Sequence, residues 1–218
     1  MTRRAGGYRM AMGEPLNQQG PDYESEKQRK GFHLAGLIIP LGYLLYPSEA
    51  QAKGMLVAGM VFAIFVDIFR LAEPRLRGFA HCLLGALMRP EEKANLLGST
   101  CLLIASVITV FVFPKPIAVA ALCLLVGGDT AAALVGKRFG RIHIFGRKTL
   151  EGTLAFVVAG LVLNGGVSLV TPGLSAPTVI TGALVGALVE AVPFPIDDNF
   201  AIPIISGVAM SLARILAA

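Results

Sequence analysis

The chain has 218 residues, of which 55% are hydrophobic and 15% charged, and it contains no Trp. A soluble domain ordinarily has about 45–50% apolar and about 25% charged residues, so this composition excludes an ordinary soluble protein and predicts an integral membrane protein. The formal charge of +5 does not indicate nucleic acid binding, because Lys and Arg cluster in particular loops, as orientation in a bilayer requires. We therefore expect membrane lipids, and no nucleic acid, as partners.

Residues 1–23 are polar and rich in Gly, Gln and Pro. This composition predicts a disordered tail, followed by a single membrane-embedded domain over residues 24–218. Residues 1–31 contain no apolar core of a secretory signal, so the first span is expected to act as its own insertion signal.

Seven apolar runs predict an all-α integral membrane protein with about seven transmembrane helices. They cover approximately residues 32–47, 54–69, 95–113, 116–137, 151–170, 176–192 and 200–217. The first run is short for a bilayer and contains Pro40, which predicts a tilted, kinked or incomplete span. Within residues 70–93, apolar side chains recur at helical spacing from Leu76 to Leu87, which predicts a short helix lying on the interface.

The distribution of basic residues predicts the orientation of these spans. With the N-terminus in the cytoplasm, all but three of the 19 Lys and Arg residues fall in cytoplasmic segments, the exceptions being Lys53, Lys115 and Arg214. We therefore expect a multi-pass protein of the cytoplasmic (inner) membrane if the cell is prokaryotic, with its active site on the cytoplasmic face. Segment 193–199 lies on the same face, and it is acidic where the other cytoplasmic loops are basic.

Asp129 lies inside the fourth apolar run and is the only acidic residue between Glu92 and Glu151. Burying an ionisable residue within a span costs several kcal/mol, which marks Asp129 as a candidate functional residue. Its carboxylate could bind Mg²⁺ or accept a proton from a substrate hydroxyl. The structural alternative is a pair with a Lys or hydroxyl of a neighbouring helix.

Small residues form a stripe beside Asp129, at successive steps of four: Gly128, Ala132, Gly136 and Gly140. Such a stripe allows another helix to approach closely. Gly182 and Gly186 form a second, shorter stripe. Because either stripe can serve packing within or between chains, a homo-oligomer is possible.

The loop over residues 140–149 is basic and interrupted by glycines, and it leads into the fifth apolar run. It is not a Walker A motif, because five residues instead of four separate its glycines. Arg147 and Lys148 nevertheless offer positive charge, and Thr149 can cap the following helix, whose N-terminal dipole favours phosphate. The alternative is a loop that is basic only for membrane orientation.

The acidic segment after the sixth run offers the oxygen ligands that hard cations prefer, namely Glu190, Asp197, Asp198 and Asn199. The alternative is a solvated loop in which Asp198 or Asn199 caps the seventh helix, and both roles can coexist. His33 lies beside the basic residues Arg29 and Lys30, where it could contact phosphate or a lipid headgroup, or have no chemical role.

Together these motifs resemble the family of dolichol kinase, phytol kinase and CTP-dependent diacylglycerol kinase, which is related to phosphatidate cytidylyltransferase. The resemblance covers about residues 24–210. The matching positions are Arg29, Lys30, Phe32 and His33; the segment Arg89–Glu92 with Gly98–Thr100; Gly128, Asp129, Ala132, Gly136, Phe139 and Gly140; Lys148, Thr149, Glu151 and Gly152; and Glu190, Asp198, Asn199, Pro203, Ser206 and Gly207. Thr149 stands where the family more commonly has Ser, and it keeps the hydroxyl.

The resemblance implies transfer of the γ-phosphoryl group of a nucleotide, typically CTP, to the hydroxyl of a membrane lipid. The acceptor could be a polyprenol such as dolichol, a phytol-like alcohol or diacylglycerol. The implied catalytic residues are Asp129, Lys148 and Glu151, and either acid could be the base. The implied nucleotide- and phosphate-binding residues are Gly128, Lys137, Arg138, Gly140, Arg147, Lys148, Thr149, Gly152 and Asn199. The implied ligands of Mg²⁺ are Asp129, Glu190, Asp197 and Asp198.

Two other functions compete with a lipid kinase. A cytidylyltransferase would instead put the α-phosphate of the nucleotide on the lipid and make a CDP-activated product. An ion-coupled transporter would use the intramembrane acids as a relay, but the chain has no convincing internal repeat, which makes this function weaker.

Overall fold

A computed structural model describes residues 23–73, 75, 77–78, 95–193 and 196–217. Its elements, in chain order, are α1 (Tyr23–Ala35), α2 (Ile38–Leu45), α3 (Glu49–Ala72), α4 (Gly98–Val112), α5 (Lys115–Cys123), a π-helical turn (Leu124–Gly128), α6 (Asp129–Phe139), β1 (His143–Phe145), β2 (Lys148–Thr149), α7 (Leu150–Val170), α8 (Ala176–Ala191) and α9 (Asp198–Leu216). Residues 1–22 of the predicted tail, the core of the predicted interfacial helix, and residues 89–92 lie outside the described residues, whereas Tyr23 begins α1.

Four helices among the described residues are long and apolar enough to cross a membrane: α3, the continuous helix Lys115–Phe139, α7 and α9. The helices α4 and α8 are apolar but shorter, with 15 and 16 residues. The predicted all-α membrane class is thus confirmed, whereas seven full spans are not. Each of the last six predicted runs corresponds to one of these helices, with bounds that differ by a few residues.

The first predicted run is split between two helices. α1 ends at Ala35 and α2 begins at Ile38, with Pro40 in the first turn of α2. With 8 residues, α2 is about 12 Å long, which is less than half of the hydrocarbon thickness of a bilayer. The run is therefore divided between two helices, and α2 by itself is too short to cross a bilayer.

The continuous helix of α5, the π-helical turn and α6 forms the centre of the bundle. Every residue from 117 to 130 is buried. It is surrounded by α2, α4, α7, α8 and α9, while α1 packs against α6. A helix that is apolar on all sides can face either lipid or other helices, and here neighbouring helices cover residues 117–130.

Glycines bring α6 and α7 into close contact. A β-carbon added at Gly152 would lie 2.8 Å from the Ala132 carbonyl oxygen and 3.2 Å from the Gly136 Cα. The close approach predicted from the small-residue stripe is confirmed, and the partner is α7 of the same chain. Further along α7, the Phe156 ring packs against both Gly128 and Gly186, so it joins α7 to the π-helical turn and to α8.

A buried ion pair connects the end of α3 to the start of α4. Arg70 Nε donates to Asp67 Oδ1 at 2.8 Å, and the second Asp67 oxygen accepts from the Leu97 backbone N–H at 2.9 Å. Arg70 also donates to the Asn95 carbonyl oxygen at 2.6 Å. These bonds satisfy both charges inside the protein and fix the point at which the chain enters α4.

Candidate active site

A cleft of about 490 Å³ opens at the end of the bundle where α6 ends and where α7 and α9 begin. Segments that are far apart in the chain meet there. The lining residues are Glu26, Arg29, Lys30, Asp129, Ala132, Ala133, Gly136, Lys137, Arg147, Lys148, Thr149, Gly152, Glu190 and Asp198. The N-terminal segment, the basic loop and the acidic segment, which the charge pattern assigns to one face of the membrane, thus meet at one end of the bundle.

A π-helical turn precedes Asp129 and leaves backbone carbonyls outside the regular helical ladder. The Thr130 hydroxyl donates to the Val126 carbonyl oxygen at 2.6 Å, and His33 Nε2 lies 3.5 Å from the Leu125 carbonyl oxygen. Because buried carbonyls need partners, these side chains stabilise the irregular turn that presents Asp129 to the cleft.

Asp129 is paired with a lysine of a neighbouring helix. Lys30 Nζ, from α1, donates to Asp129 Oδ2, and His33 Nε2 lies 3.6 Å from the same oxygen. Lys30 is 3% exposed, so its ammonium group is buried against this carboxylate. The structural alternative for Asp129, a pair with a Lys of a neighbouring helix, is therefore confirmed. The same carboxylate also lines the cleft.

Lys148 is paired with two carboxylates from the opposite wall. Its Nζ lies 2.6 Å from Glu190 Oε1 and 3.5 Å from Asp198 Oδ2. Burial acts to lower the pKa of Lys148, but the charges of Glu190 and Asp198 raise this pKa above its ordinary value. The ammonium group is therefore charged at neutral pH and available to bind an anion.

The basic loop forms a small antiparallel hairpin of β1 and β2, which the sequence did not predict. Gly146 adopts a φ of 55° at its turn, a conformation that disfavours other residues. The Thr149 side chain accepts from the Gly152 backbone N–H at 3.2 Å, which confirms it as the cap of α7. The hairpin thereby directs Arg147, Lys148 and the N-terminus of α7 to the cleft.

Asp197 caps α9, whereas the sequence suggested Asp198 or Asn199. Asp197 Oδ1 accepts from the Asn199 backbone N–H at 2.9 Å and from Asn199 Nδ2 at 2.7 Å. These bonds hold Asp197 at the helix start and leave Asp198 as the acid of this segment that lines the cleft.

Seven of the predicted site residues do not line the cleft: His33, Gly128, Arg138, Gly140, Glu151, Asp197 and Asn199. Gly128 packs against Phe156, and Gly140 packs against Thr149, so both act through helix packing. Both Glu151 carboxylate oxygens lie 3.3 Å from the Ile142 backbone N–H, which directs this side chain toward the loop.

Glu26 lines the cleft but was not predicted from the sequence. It is buried and accepts a hydrogen bond from Arg29, three residues later on α1. The sequence signal that could have identified Glu26 is its spacing from Arg29, because residues at i and i+3 of a helix share a face.

The acids of the cleft offer oxygen ligands of the kind that hard cations prefer. Among the described residues, no three His, Cys, Asp or Glu side chains converge as a ready-made metal cage. Mg²⁺ usually takes one or two carboxylates together with substrate phosphates and waters. Asp129, Glu190 and Asp198 all line the cleft and offer that smaller donor set.

Comparisons with known proteins identified relatives but no family model and no solved structure. A Schizosaccharomyces pombe protein named CTP-dependent diacylglycerol kinase 1 is 31% identical over 160 residues, which are 67% of this chain and 73% of the relative. An uncharacterized protein of Rickettsia prowazekii is 27% identical over 191 residues, 84% of this chain and 92% of that protein. A Saccharomyces cerevisiae dolichol kinase is 54% identical over 37 residues, 16% of this chain and 7% of that enzyme.

Proposed function

The chain belongs to the family of the CTP-dependent diacylglycerol kinases and dolichol kinase, and we propose from this premise that it is a membrane lipid kinase that transfers the γ-phosphoryl group of CTP to a lipid hydroxyl. The acceptor class we propose is a membrane lipid alcohol: diacylglycerol, a polyprenol or a phytol-like alcohol.

The observation that carries this proposal is the convergence of five separate elements on one cleft. Lys30 comes from α1, Asp129 from α6, Lys148 from the hairpin, and Glu190 and Asp198 from α8 and α9. Cations, carboxylates and a helix N-terminus in one cleft are the components that phosphoryl transfer requires. Their position at the end of apolar helices suits a reaction between a soluble nucleotide and a lipid headgroup.

Binding of the phosphates is assigned to the wall formed by the hairpin and the start of α7. Arg147 and Lys148 supply positive charge, Lys137 approaches from α6, and the capped N-terminus of α7 supplies its dipole. Glu190 and Asp198 hold Lys148, and Thr149 caps α7, so these groups are in position before the substrate arrives and can stabilise the charge that develops on the transferring group.

Asp129 and Asp198 would hold the Mg²⁺ of the nucleotide, with Glu190 beside them, and the ion would neutralise phosphate charge. Lys30 and Lys148 would then exchange their carboxylate partners for phosphate oxygens. Of the two acids implied as the base, Asp129 lines the cleft and Glu151 does not, so we assign proton acceptance from the lipid hydroxyl to Asp129.

We also propose that the cleft faces the cytoplasm, where CTP is available. The basic residues concentrated in the segments at this end of the bundle support that orientation. The lipid would reach the cleft laterally, between helices and near the headgroup plane.

The test uses purified protein in detergent with Mg²⁺, a panel of lipid alcohols, and CTP labelled at either the γ- or the α-phosphate. A lipid kinase gives lipid labelled from the γ position only, and the acceptor that becomes labelled identifies the lipid class. Lipid labelled from the α position would replace the proposal with a cytidylyltransferase. No labelled lipid with CTP, ATP or UTP would reject nucleotide-dependent lipid chemistry.

A further inference from the structure

Glu26 and Arg29 form an acid–guanidinium pair on the α1 wall of the cleft, and the phosphoryl transfer described above does not use the acid. Arg29 Nη2 donates to Glu26 Oε1, and both residues line the cleft. Glu26 is 8% exposed, so its carboxylate is held in the wall and does not extend into water.

The α1 wall of the cleft carries a hydrogen-bond acceptor and a donor side by side. Glu26 offers a carboxylate oxygen and Arg29 its remaining N–H groups, whereas Arg147, Lys148 and the N-terminus of α7 suit phosphate. An acceptor beside a donor suits a part of the nucleotide that itself carries a donor beside an acceptor. Glu26 precedes Lys30 by four residues, which places it about 6 Å along the helix axis from the lysine that contacts Asp129. The acid thus lies one helical turn away from Lys30 on α1.

We propose that the Glu26–Arg29 pair binds the base of the nucleotide and selects a base that has an exocyclic amino group beside an acceptor nitrogen. This inference rests on the proposed function and names the residues that would determine nucleotide specificity. The carboxylate accepts from the amino group, as Glu and Asp do from N4 of cytosine, and the guanidinium donates to the adjacent ring nitrogen.

Cytosine fits this pair, and uracil does not. Cytosine offers the N4 amino group and the N3 acceptor, whereas uracil has a carbonyl oxygen and an N–H at the same positions. Uracil would set its oxygen against the Glu26 carboxylate and its N–H against the Arg29 guanidinium. A site with such mispaired polar groups discriminates strongly, and we expect CTP to bind about 10- to 100-fold more tightly than UTP. Adenine shares the cytosine pattern, so this pair alone does not separate CTP from ATP.

The test is equilibrium dialysis of labelled CTP and UTP against the full-length protein in detergent with Mg²⁺ and without an acceptor lipid. Glu26→Gln lets Arg29 keep a carbonyl partner but replaces one carboxylate oxygen with an N–H donor. The expected result is a fall of about tenfold or more in the preference for CTP over UTP. Glu73→Gln, an exposed acid at the end of α3, is the control for the charge change and should leave the preference unchanged.

Two further measurements keep the inference falsifiable. Glu26→Asp retains the acceptor charge with a shorter reach, so the affinity should fall while CTP stays preferred. If Glu26 instead binds the ribose, Glu26→Gln would change the ratio of CTP to 2′-deoxy-CTP binding and leave the CTP to UTP ratio intact, which would overturn the inference. Equal affinity of the unmodified protein for CTP and UTP would also overturn it.

The proposed function and this inference fail in different ways. If no lipid becomes labelled from γ-labelled CTP, the kinase proposal fails. If lipid becomes labelled and Glu26→Gln keeps the preference for CTP, the kinase proposal stands and the assignment of the base to Glu26 and Arg29 is wrong.

Discussion

Lys148 Nζ lies 2.6 Å from Glu190 Oε1, although the two residues are 42 positions apart in the chain. The contact joins the hairpin before α7 to the last turn of α8, and Glu190 is only 4% exposed. Removing the cation from a buried carboxylate strongly destabilises the folded protein. The pair therefore holds two walls of the cleft together and keeps a cation where we expect a phosphate to bind.

Replacing this cation should affect both folding and activity. We expect Lys148→Met to lower lipid phosphorylation by about 100-fold or more, because it removes charge stabilisation of the transferring group. It should also lower the free energy of unfolding by about 1–3 kcal/mol, because Glu190 is left buried without this partner. Radiolabel transfer and thermal unfolding in detergent measure the two effects.

The double variant Lys148→Met/Glu190→Gln separates stability from catalysis. It should regain most of the lost thermal stability, because no buried charge is left without its partner, and should remain inactive. Recovered activity in the double variant would mean that Lys148 is needed only for folding.

The same pair predicts a loss of stability at high pH. The pKa of Lys148 is raised in the folded protein, since the nearby carboxylates outweigh burial. Its stabilising contribution is therefore complete below the unfolded pKa of about 10.4 and disappears as the pH rises through the higher folded value. Melting temperatures measured from pH 8 to 11 should fall more above pH 10 in the unmodified protein than in Lys148→Met. Parallel curves would contradict this account of the pair.

The contact between α6 and α7 predicts opposite effects for two alanine substitutions on one helix. Gly152→Ala places a methyl group 2.8 Å from the Ala132 carbonyl oxygen, so the helices must separate. We expect a loss of about 1–3 kcal/mol in the free energy of unfolding, with reduced activity because Lys148 and Thr149 move. In Gly165→Ala the added methyl group meets open space, so the change should be neutral or stabilising by about 0.5–1 kcal/mol. Equal melting temperatures for the two variants would contradict the packing argument.

Removal of the metal should abolish transfer if Asp129 and Asp198 hold Mg²⁺ with the nucleotide. We expect EDTA to stop labelling of the lipid and added Mg²⁺ to restore it. Asp198→Asn should raise the Mg²⁺ concentration that gives half-maximal rate by about tenfold or more, because one charged ligand is lost. An unchanged Mg²⁺ requirement would mean that Asp198 serves only as a partner of Lys148.

Much of the helical architecture follows from hydrophobicity along the chain. Residues 117–130, almost all of them apolar, form the buried centre, and the proline and short length of residues 32–47 agree with the break between α1 and α2. Asp129 could be identified from the sequence because burying a single acid within an apolar span costs free energy, which marks a candidate functional residue. The charge distribution further indicated that the basic loop and the acidic segment share one end of the bundle.

Other features depend on tertiary contacts that leave no local pattern. The π-helical turn before Asp129 has no sequence signature, and its carbonyls are satisfied in part by His33, which is 92 residues from Leu125. The pairing of Lys30 with Asp129 joins residues 99 positions apart. Glu151 was implied as catalytic by its motif, yet its carboxylate faces Ile142 of the loop. Motif spacing reports which residues matter to a family but not the direction of each side chain.

The most direct test of the central claim measures single-turnover transfer from γ-labelled CTP to the acceptor lipid in the unmodified protein and in Asp129→Asn. The substitution keeps the shape of the side chain and removes the charge that contacts Lys30. Gly165→Ala serves as the control, because it lies on α7 with open space around the added methyl group. The account predicts labelled lipid in the unmodified protein and the control, with a loss of about 100-fold or more in Asp129→Asn. Unchanged transfer in a folded Asp129→Asn protein would contradict it, because the reaction would then not depend on this cleft.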